Sequence, residues 1–108
     1  DLIKSSGFRI GPAEVEDSLI SFHAVAEAAV IGKPDNDRGS IVKAFIKLHK
    51  DFNPSTELIE EIRNFVKENL ASYKAPREIE FVDSFIMTSS GKINRRVLRE
   101  RENEHLKN

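Results

Sequence analysis

The sequence predicts a compact α+β domain, with a small sheet of about three strands, flanking helices and a short hairpin-like loop in front. Three observations support this fold class. The chain has 108 residues, enough for one domain with a modest core. Apolar residues recur at helical spacing in residues 12–22 and 58–70. Two strand-type runs, residues 24–31 and 41–49, lie between these helical segments.

The first element is the hairpin-like loop. Residues 2–4 and 8–10 are extended pieces on either side of Ser5-Ser6-Gly7, a turn signal with Gly7 at its tip. Pro12 then suits the first turn of a helix. We expect this helix to run to about Phe22 and to bury one face, formed by Val15, Leu19 and Phe22.

The central part of the chain predicts an antiparallel strand pair. Ala24 to Ile31 is almost wholly apolar, which is typical of a central strand covered on both faces. Residues 32–39 are dense in turn formers and predict a loop. Residues 41–49 alternate, which predicts a half-buried strand. Its core face would carry Val42, Ala44, Ile46 and Leu48, and its solvent face Lys43, Lys47 and His49.

The second half of the chain predicts a helix, a strand and a helix. Asn53-Pro54-Ser55 is a helix start, and the helix should reach about Leu70. After a connector, residues 78–82 alternate as a third strand, and residues 83–91 form a loop. The segment from Ile93 to about His105 predicts a charged, solvated helix with few apolar contacts. Its four arginines are offset by Glu100, Glu102 and Glu104.

Composition restricts the classes of function. Net charge is −1, from 17 basic and 18 acidic side chains. This balance argues against nonspecific nucleic-acid binding, which needs a basic surface. No apolar run approaches the length of a membrane span, so no membrane partner is expected. There is no cysteine, which excludes disulfides and fits a reducing, cytoplasmic location or an organelle matrix. No paired-carboxylate, Ser-His-Asp or metal-ligand spacing is present, so no metal site is expected.

The chemistry is predicted in the stretch from Thr88 to Arg99, which opens with Thr88-Ser89-Ser90-Gly91-Lys92. Four loop formers precede the lysine, and Gly91 can adopt backbone angles that are closed to other residues. A lysine on such a turn can extend away from the domain. The turn is not a P-loop, because that motif requires glycine at the position of Ile86 and Ser or Thr at the position of Ile93. By spacing alone, a solvated surface lysine is the simpler interpretation.

Three blocks of sequence change that interpretation. They are residues 3–16, Tyr73-Lys74-Ala75-Pro76-Arg77 and Ser90-Gly91-Lys92-Ile93-Asn94-Arg95-Arg96. Because these three blocks occur together in this order and spacing, the chain resembles the C-terminal domain of the AMP-forming acyl-CoA synthetases. Within that family it is most similar in wording to the acetyl- and medium-chain acyl-CoA synthetases. The resemblance implies a two-step ligase. A carboxylate first attacks the α-phosphate of ATP, releasing pyrophosphate, and coenzyme A then displaces AMP.

The resemblance also implies roles for individual residues. Lys92 matches the lysine that reaches the α-phosphate and the acyl carboxylate in the first step. Ser6, Gly7 and Phe8 match the loop that lines the pantetheine tunnel in the second step. Arg9, Arg38 and Lys67 match contacts to coenzyme A. Many relatives carry Leu-Pro-Lys-Thr where this chain has Phe85-Ile86-Met87-Thr88, a change expected to alter loop stiffness and adenylate contacts.

By the same resemblance, residues 1–108 form the mobile C-terminal domain of a longer enzyme, beginning just after the pivot upstream of Asp1. The expected partners are its own large N-terminal domain, which would bind most of the ATP and magnesium, and a small carboxylic acid. The isolated domain should fold without turning over. Two alternatives stay open: a peptide-synthetase adenylation subdomain, and a noncatalytic domain that retains the fold.

Overall fold

A five-stranded sheet with helices on both faces organises residues 2–107, the part of the chain that the computed structural model describes. The strands are β1 (Ile3–Ser5), β2 (Phe8–Ile10), β3 (Val25–Asp35), β4 (Gly39–Leu48) and β5 (Glu78–Phe81). The helices are α1 (Pro12–Ile20), α2 (Thr56–Asn69) and α3 (Arg95–Lys107), with a 3-10 turn at Ser72–Lys74. This confirms the predicted α+β class. Asp1, the position expected to follow the pivot, lies outside the described residues.

The sheet has more strands than the three expected. Its order is β2-β1-β4-β3, with β5 also paired to β4. The predicted antiparallel pair is β3 and β4, whereas β5 runs parallel to β4 because the connection through α2 crosses over the sheet. The hairpin-like loop supplies β1 and β2. It joins the sheet where Ser5 pairs with Gly39 and the Ser6 N–H donates to the Arg38 carbonyl at 2.9 Å.

One face of the sheet is covered by α1 and α2, as the helical spacing predicts. Val15, Leu19 and Phe22 are buried in the same cluster as Val30 and Val42 of the sheet. The apolar stripe of α2, Leu58, Ile62 and Val66, is buried there too. The start of α2 also agrees with its sequence signal, since the Ser55 hydroxyl accepts the Leu58 N–H at 3.0 Å and caps the helix.

The loop predicted at residues 32–39 is mostly strand. β3 continues to Asp35, and only residues 36–38 turn. The strand predicted as central is also wrongly placed, since β3 lies at the edge of the sheet. Turn formers fit an edge strand because Pro34 can lack an N–H there without breaking the sheet. The Asp35 carboxylate accepts the N–H groups of Asp37 at 3.2 Å and Arg38 at 3.0 Å, which shortens the turn to three residues.

The predicted solvent face of β4 is buried at Lys43, and the terminal helix is not simply solvated. Leu98 of α3 packs with Ala29, Ile31 and Phe45 in a second core on the other face of the sheet. Lys43, expected in solvent, is only 5% exposed beneath α3. Both predictions were wrong for one reason: the period of a strand shows which residues share a face, not whether a helix covers that face. His49 is exposed, as predicted.

An ion network connects α3 to the sheet. The Lys43 ammonium donates to Glu80 at 3.1 Å and also to Glu102, which is only 3% exposed. Arg101 donates to the other oxygen of Glu80. Beside them, Lys33 donates to Glu78 at 3.0 Å, and this hydrogen bond raises the pKa of Lys33. These ion pairs take the place of the water that Lys43 and Glu102 lose when α3 packs on the sheet.

Folding stability should fall in acid through Glu80. Burial raises the pKa of its carboxyl, but the hydrogen bonds and charges of Arg101 and Lys43 outweigh burial and leave the pKa below its ordinary value. A carboxyl of this kind stabilises the fold above its unfolded-state pKa, near 4.3, and loses that contribution as pH falls through its lower folded-state pKa. Urea unfolding at a series of pH values should show a smaller acid loss for Glu80→Gln than for the unsubstituted chain. An equal loss would contradict the assignment.

Candidate functional site

Lys92 lies at the end of a small hairpin that precedes α3. Met87 and Ile93 form an antiparallel bridge, and Gly91 has a φ of 83°, the left-handed angle expected of this glycine. The Gly91 N–H donates to the Thr88 carbonyl at 3.0 Å, and the Lys92 N–H donates to the Thr88 hydroxyl at 3.2 Å. The Lys92 side chain is exposed. Residues 86–93 are named here the Lys92 turn.

The Lys92 turn leads into α3 through a capped start. The helix begins at Arg95, two residues later than the predicted start at Ile93. The Asn94 side-chain carbonyl accepts the Val97 N–H at 3.3 Å, an N-cap contact. The Asn94 N–H donates to the Ile86 carbonyl at 2.8 Å. A lysine ammonium is therefore presented on a hydrogen-bonded turn rather than on the helix itself.

A second group of predicted residues lies on the β1–β2 hairpin. Ser6 and Gly7 form its tip with φ angles of 51° and 84°. Such a pair of positive angles matches the twist of a two-residue hairpin. Phe8 is 48% exposed, and its ring stacks on Tyr73 with 4.0 Å between the ring centroids. The stack places an aromatic surface next to the hairpin tip.

Arg38 joins this hairpin across 32 positions of sequence. Its guanidinium Nη1 donates to the Ser6 hydroxyl at 3.3 Å, and its carbonyl accepts the Ser6 N–H. Ser6, Phe8, Arg38 and Arg77 line a small cleft of about 80 Å³. The structure therefore brings Ser6, Gly7, Phe8 and Arg38 together.

Lys67 lies in a neighbouring groove. The groove has a volume of about 320 Å³ and is lined by Arg63, Lys67, Ser72, Ala75, Pro76 and Arg77. It shares Ser72, Ala75 and Arg77 with the cleft of Arg38. Arg63 is occupied, since it donates to the carbonyls of Pro76 at 2.9 Å and Arg77 at 3.1 Å. The cleft and the groove together form one surface that carries Arg38, Lys67 and Arg77. We call this surface the cation groove.

Arg9 is not part of the cation groove. It is exposed and pairs with Lys4 across the hairpin, one residue from Phe8. Successive strand residues point to opposite faces, so Arg9 faces away from the Phe8–Tyr73 stack. Its predicted contact with coenzyme A remains a prediction.

Sequence reasoning assigned no role to Tyr73 or Arg77, although both belong to a block that carried the resemblance. Tyr73 supports Phe8, and Arg77 links the cleft to the groove of Lys67. A useful signal was available in that block: an aromatic residue and a basic residue flank Pro76, a residue typical of a rigid connector. Next to Tyr73, Lys74 forms an ion pair with Glu14 at 2.6 Å, and this hydrogen bond raises the pKa of Lys74.

Within the described part of the chain, no group of three or more His, Cys, Asp or Glu side chains is placed to hold a metal ion. Among residues 2–107, no helix combines the length and apolar character needed to cross a bilayer.

The sequence and the fold are both similar to those of known proteins. Residues 14–92 match the family model described as the AMP-binding enzyme C-terminal domain. The chain is 60% identical over 99 residues to the acetyl-coenzyme A synthetase of Bacillus subtilis, covering 92% of this chain and 17% of that protein. It is 55% identical over 107 residues to 4-hydroxybutyrate–CoA ligase 1 of Metallosphaera sedula, and this match covers 99% of this chain and 19% of that protein.

A solved structure has the same fold. The crystal structure of the Brucella canis acyl-CoA synthetase superposes with a TM-score of 0.96 and 48% identity, over 98% of this chain and 20% of that one. The chain thus spans about a fifth of the length of the relatives it matches.

Proposed function

This chain belongs to the AMP-binding enzyme C-terminal domain family, and from that premise we propose that it is the mobile C-terminal domain of an ATP-dependent, AMP-forming acyl-CoA synthetase. The whole enzyme would convert a carboxylic acid, ATP and coenzyme A into acyl-CoA, AMP and pyrophosphate. It would work in the cytoplasm or an organelle matrix. Residues 1–108 would supply the adenylation lysine and part of the coenzyme A site.

The observation that carries the proposal is the separation of two cationic sites on one domain. Lys92 is exposed on a turn whose hydrogen bonds, among the described residues, stay within residues 86–97. The cation groove and the Phe8 hairpin are built on other elements, from β1 to the connector before β5. Two sites on different elements of one domain suit an enzyme that presents them in turn to its N-terminal domain.

Lys92 would serve the first step through its charge. A carboxylate approaching the α-phosphate of ATP is repelled, and an ammonium between the two anions attracts both. At about 4 Å and an effective dielectric near 20, one such contact contributes about 4 kcal/mol. Because about 1.36 kcal/mol changes a rate tenfold, this corresponds to roughly a thousandfold. Magnesium would be bound by the N-terminal domain.

The cation groove would serve the second step. Coenzyme A carries a 3′-phosphate and a pyrophosphate, and Arg38, Lys67 and Arg77 fit that charge. Ser6, Gly7 and Phe8 would line the path of the pantetheine arm, where the backbone of Gly7 permits close approach. Arg9 would reach the nucleotide phosphates from the other face of the hairpin.

The test is a screen of carboxylic acids with the full-length protein, in which AMP is measured with and without coenzyme A. The proposal expects at least one acid to give AMP that depends on both ATP and coenzyme A. If acids give pyrophosphate release but no product with free coenzyme A, a carrier-protein acceptor would replace it. If no acid releases pyrophosphate, the proposal fails.

Arg38→Gln in the full-length protein should weaken the second step selectively. A lost charge-assisted contact costs about 1.5–3 kcal/mol, so KM for coenzyme A should rise tenfold or more. The rate of adenylate formation should stay near that of the unsubstituted enzyme. The matched control is Lys50→Gln, an exposed cation on the loop before α2. A slower adenylation step with unchanged KM for coenzyme A would contradict the assignment.

A further inference from the structure

Glu16 of α1 is a buried carboxylate whose two oxygens are both occupied. The residue is 8% exposed. Its Oε2 accepts the backbone N–H of Val30 at 2.8 Å and the Nε of Arg95 at 2.7 Å. Its Oε1 accepts Nη2 of the same arginine at 2.5 Å. The carboxylate is thus held by the backbone of an edge strand and binds Arg95 in a bidentate geometry.

Arg95 is close to Lys92 in sequence and in structure. It is the first residue of α3, three positions after Lys92. The preceding residue, Asn94, is hydrogen-bonded both to Ile86 at the base of the Lys92 turn and to Val97 in α3. A restraint on Arg95 is therefore also a restraint on the base of the turn.

Little else holds the Lys92 turn. In the part of the chain that the structure describes, the Glu16–Arg95 pair is the only hydrogen-bonded link from residues 86–96 to elements outside α3. Ile86 is 63% exposed and Met87 is 47% exposed, so neither holds the turn by packing. Ile93 and Phe85 add apolar contacts, but such contacts are not directional.

We propose that the Glu16–Arg95 ion pair positions the Lys92 turn for adenylate formation. The inference rests on the proposed function of Lys92 and deepens it. Glu16 and Arg95 are positioning residues, since they act through Lys92 and touch no substrate. Arg95 is thereby assigned to the structure of the turn rather than to a solvated helix face.

The proposal predicts a selective kinetic defect. In the full-length protein, Glu16→Gln retains an acceptor for Val30 but loses the charge that holds Arg95. Because loss of accurate placement costs up to about a hundredfold in rate, kcat for adenylate formation should fall about 10- to 100-fold. KM for ATP and for the acid should change by no more than about twofold. Thioester formation from supplied acyl-adenylate should keep its rate.

Further variants separate positioning from folding. Arg95→Met should reproduce the defect, and Arg95→Lys, which keeps the charge without the bidentate geometry, should recover part of the rate. Glu100→Gln breaks an exposed ion pair with Arg96 on the same helix and should leave both steps unchanged. Equal loss in both half-reactions would indicate general destabilisation and overturn the proposal, as would an unchanged adenylation rate.

Hydrogen–deuterium exchange of the full-length protein adds a readout that is independent of activity. A peptide covering residues 86–99 should exchange faster in Glu16→Gln, while a peptide from α2 should not change. Unchanged exchange at residues 86–99 would overturn the proposal whatever the kinetics. If exchange accelerates but the unsubstituted protein activates no acid, the proposed function fails, and the catalytic part of this inference fails with it.

Discussion

Replacing Lys92 with alanine in the full-length protein should lower the rate of adenylate formation about a thousandfold, since one ammonium–anion contact of about 4 kcal/mol is lost. Thioester formation from supplied acyl-adenylate should be largely spared. The reason is structural: Lys92 lies on the turn before α3, hydrogen-bonded to Thr88, and it does not line the cleft or the groove that contain Arg38, Lys67 and Arg77. Pyrophosphate release and single-turnover thioester formation measure the two steps separately.

Two further variants sharpen this test. Lys92→Arg keeps the charge in a larger, planar group and should restore only part of the rate, because a guanidinium does not fill the position of an ammonium. Lys50→Ala removes an exposed lysine on the loop before α2, 42 positions before Lys92, and should have no effect on either step. If Lys92→Ala lowered the rates of adenylate formation and thioester formation equally, the assignment of Lys92 to the first step would be wrong.

Breaking the buried pair of Lys43 and Glu102 should cost the 108-residue chain about 3–5 kcal/mol in free energy of unfolding. Lys43→Met would leave the Glu102 carboxylate in a site only 3% exposed, without its ammonium. Glu102→Leu would leave Lys43 with Glu80 at 3.1 Å and Glu78 at 3.8 Å, so its cost should lie at the lower end of that range. Urea unfolding followed by circular dichroism measures both values.

The double variant Lys43→Met with Glu102→Leu decides what the pair contributes. It removes both charges, so its cost should be well below the sum of the single costs. Glu100→Gln is the control on the exposed face of α3, with an expected change of no more than about 0.5 kcal/mol. Additive costs in the double variant would mean that the two side chains do not stabilise each other.

The elements that sequence analysis predicted well are those set by local chemistry. α2 follows from Ser55 as a cap and from an apolar stripe that repeats every three to four residues. Gly91 has the left-handed angle that its position in the turn suggested. Local patterns failed for residues 32–35, because turn-forming residues also occur in an edge strand.

The candidate site was predicted in its parts rather than in its arrangement. Lys92 is exposed on a turn, and Ser6, Phe8 and Arg38 are neighbours. No periodicity in the sequence places Arg38 against a hairpin 32 residues away, and none assigns Tyr73 as the support of Phe8. The resemblance named most of these residues, and the fold shows which of them share a surface.

By itself, the sequence determined the α+β class, most helix and strand positions and the exposed lysine turn, because apolar period, caps and turn residues act over a few neighbouring positions. The tertiary structure alone decided that α3 covers the sheet. It also decided that Lys43 meets Glu102 across 59 positions and that Arg95 meets Glu16 across 79. Such pairs have no local signature in the sequence. A charged residue is therefore predicted to be solvated, although folding can bury it when an opposite charge from a distant part of the chain replaces its water.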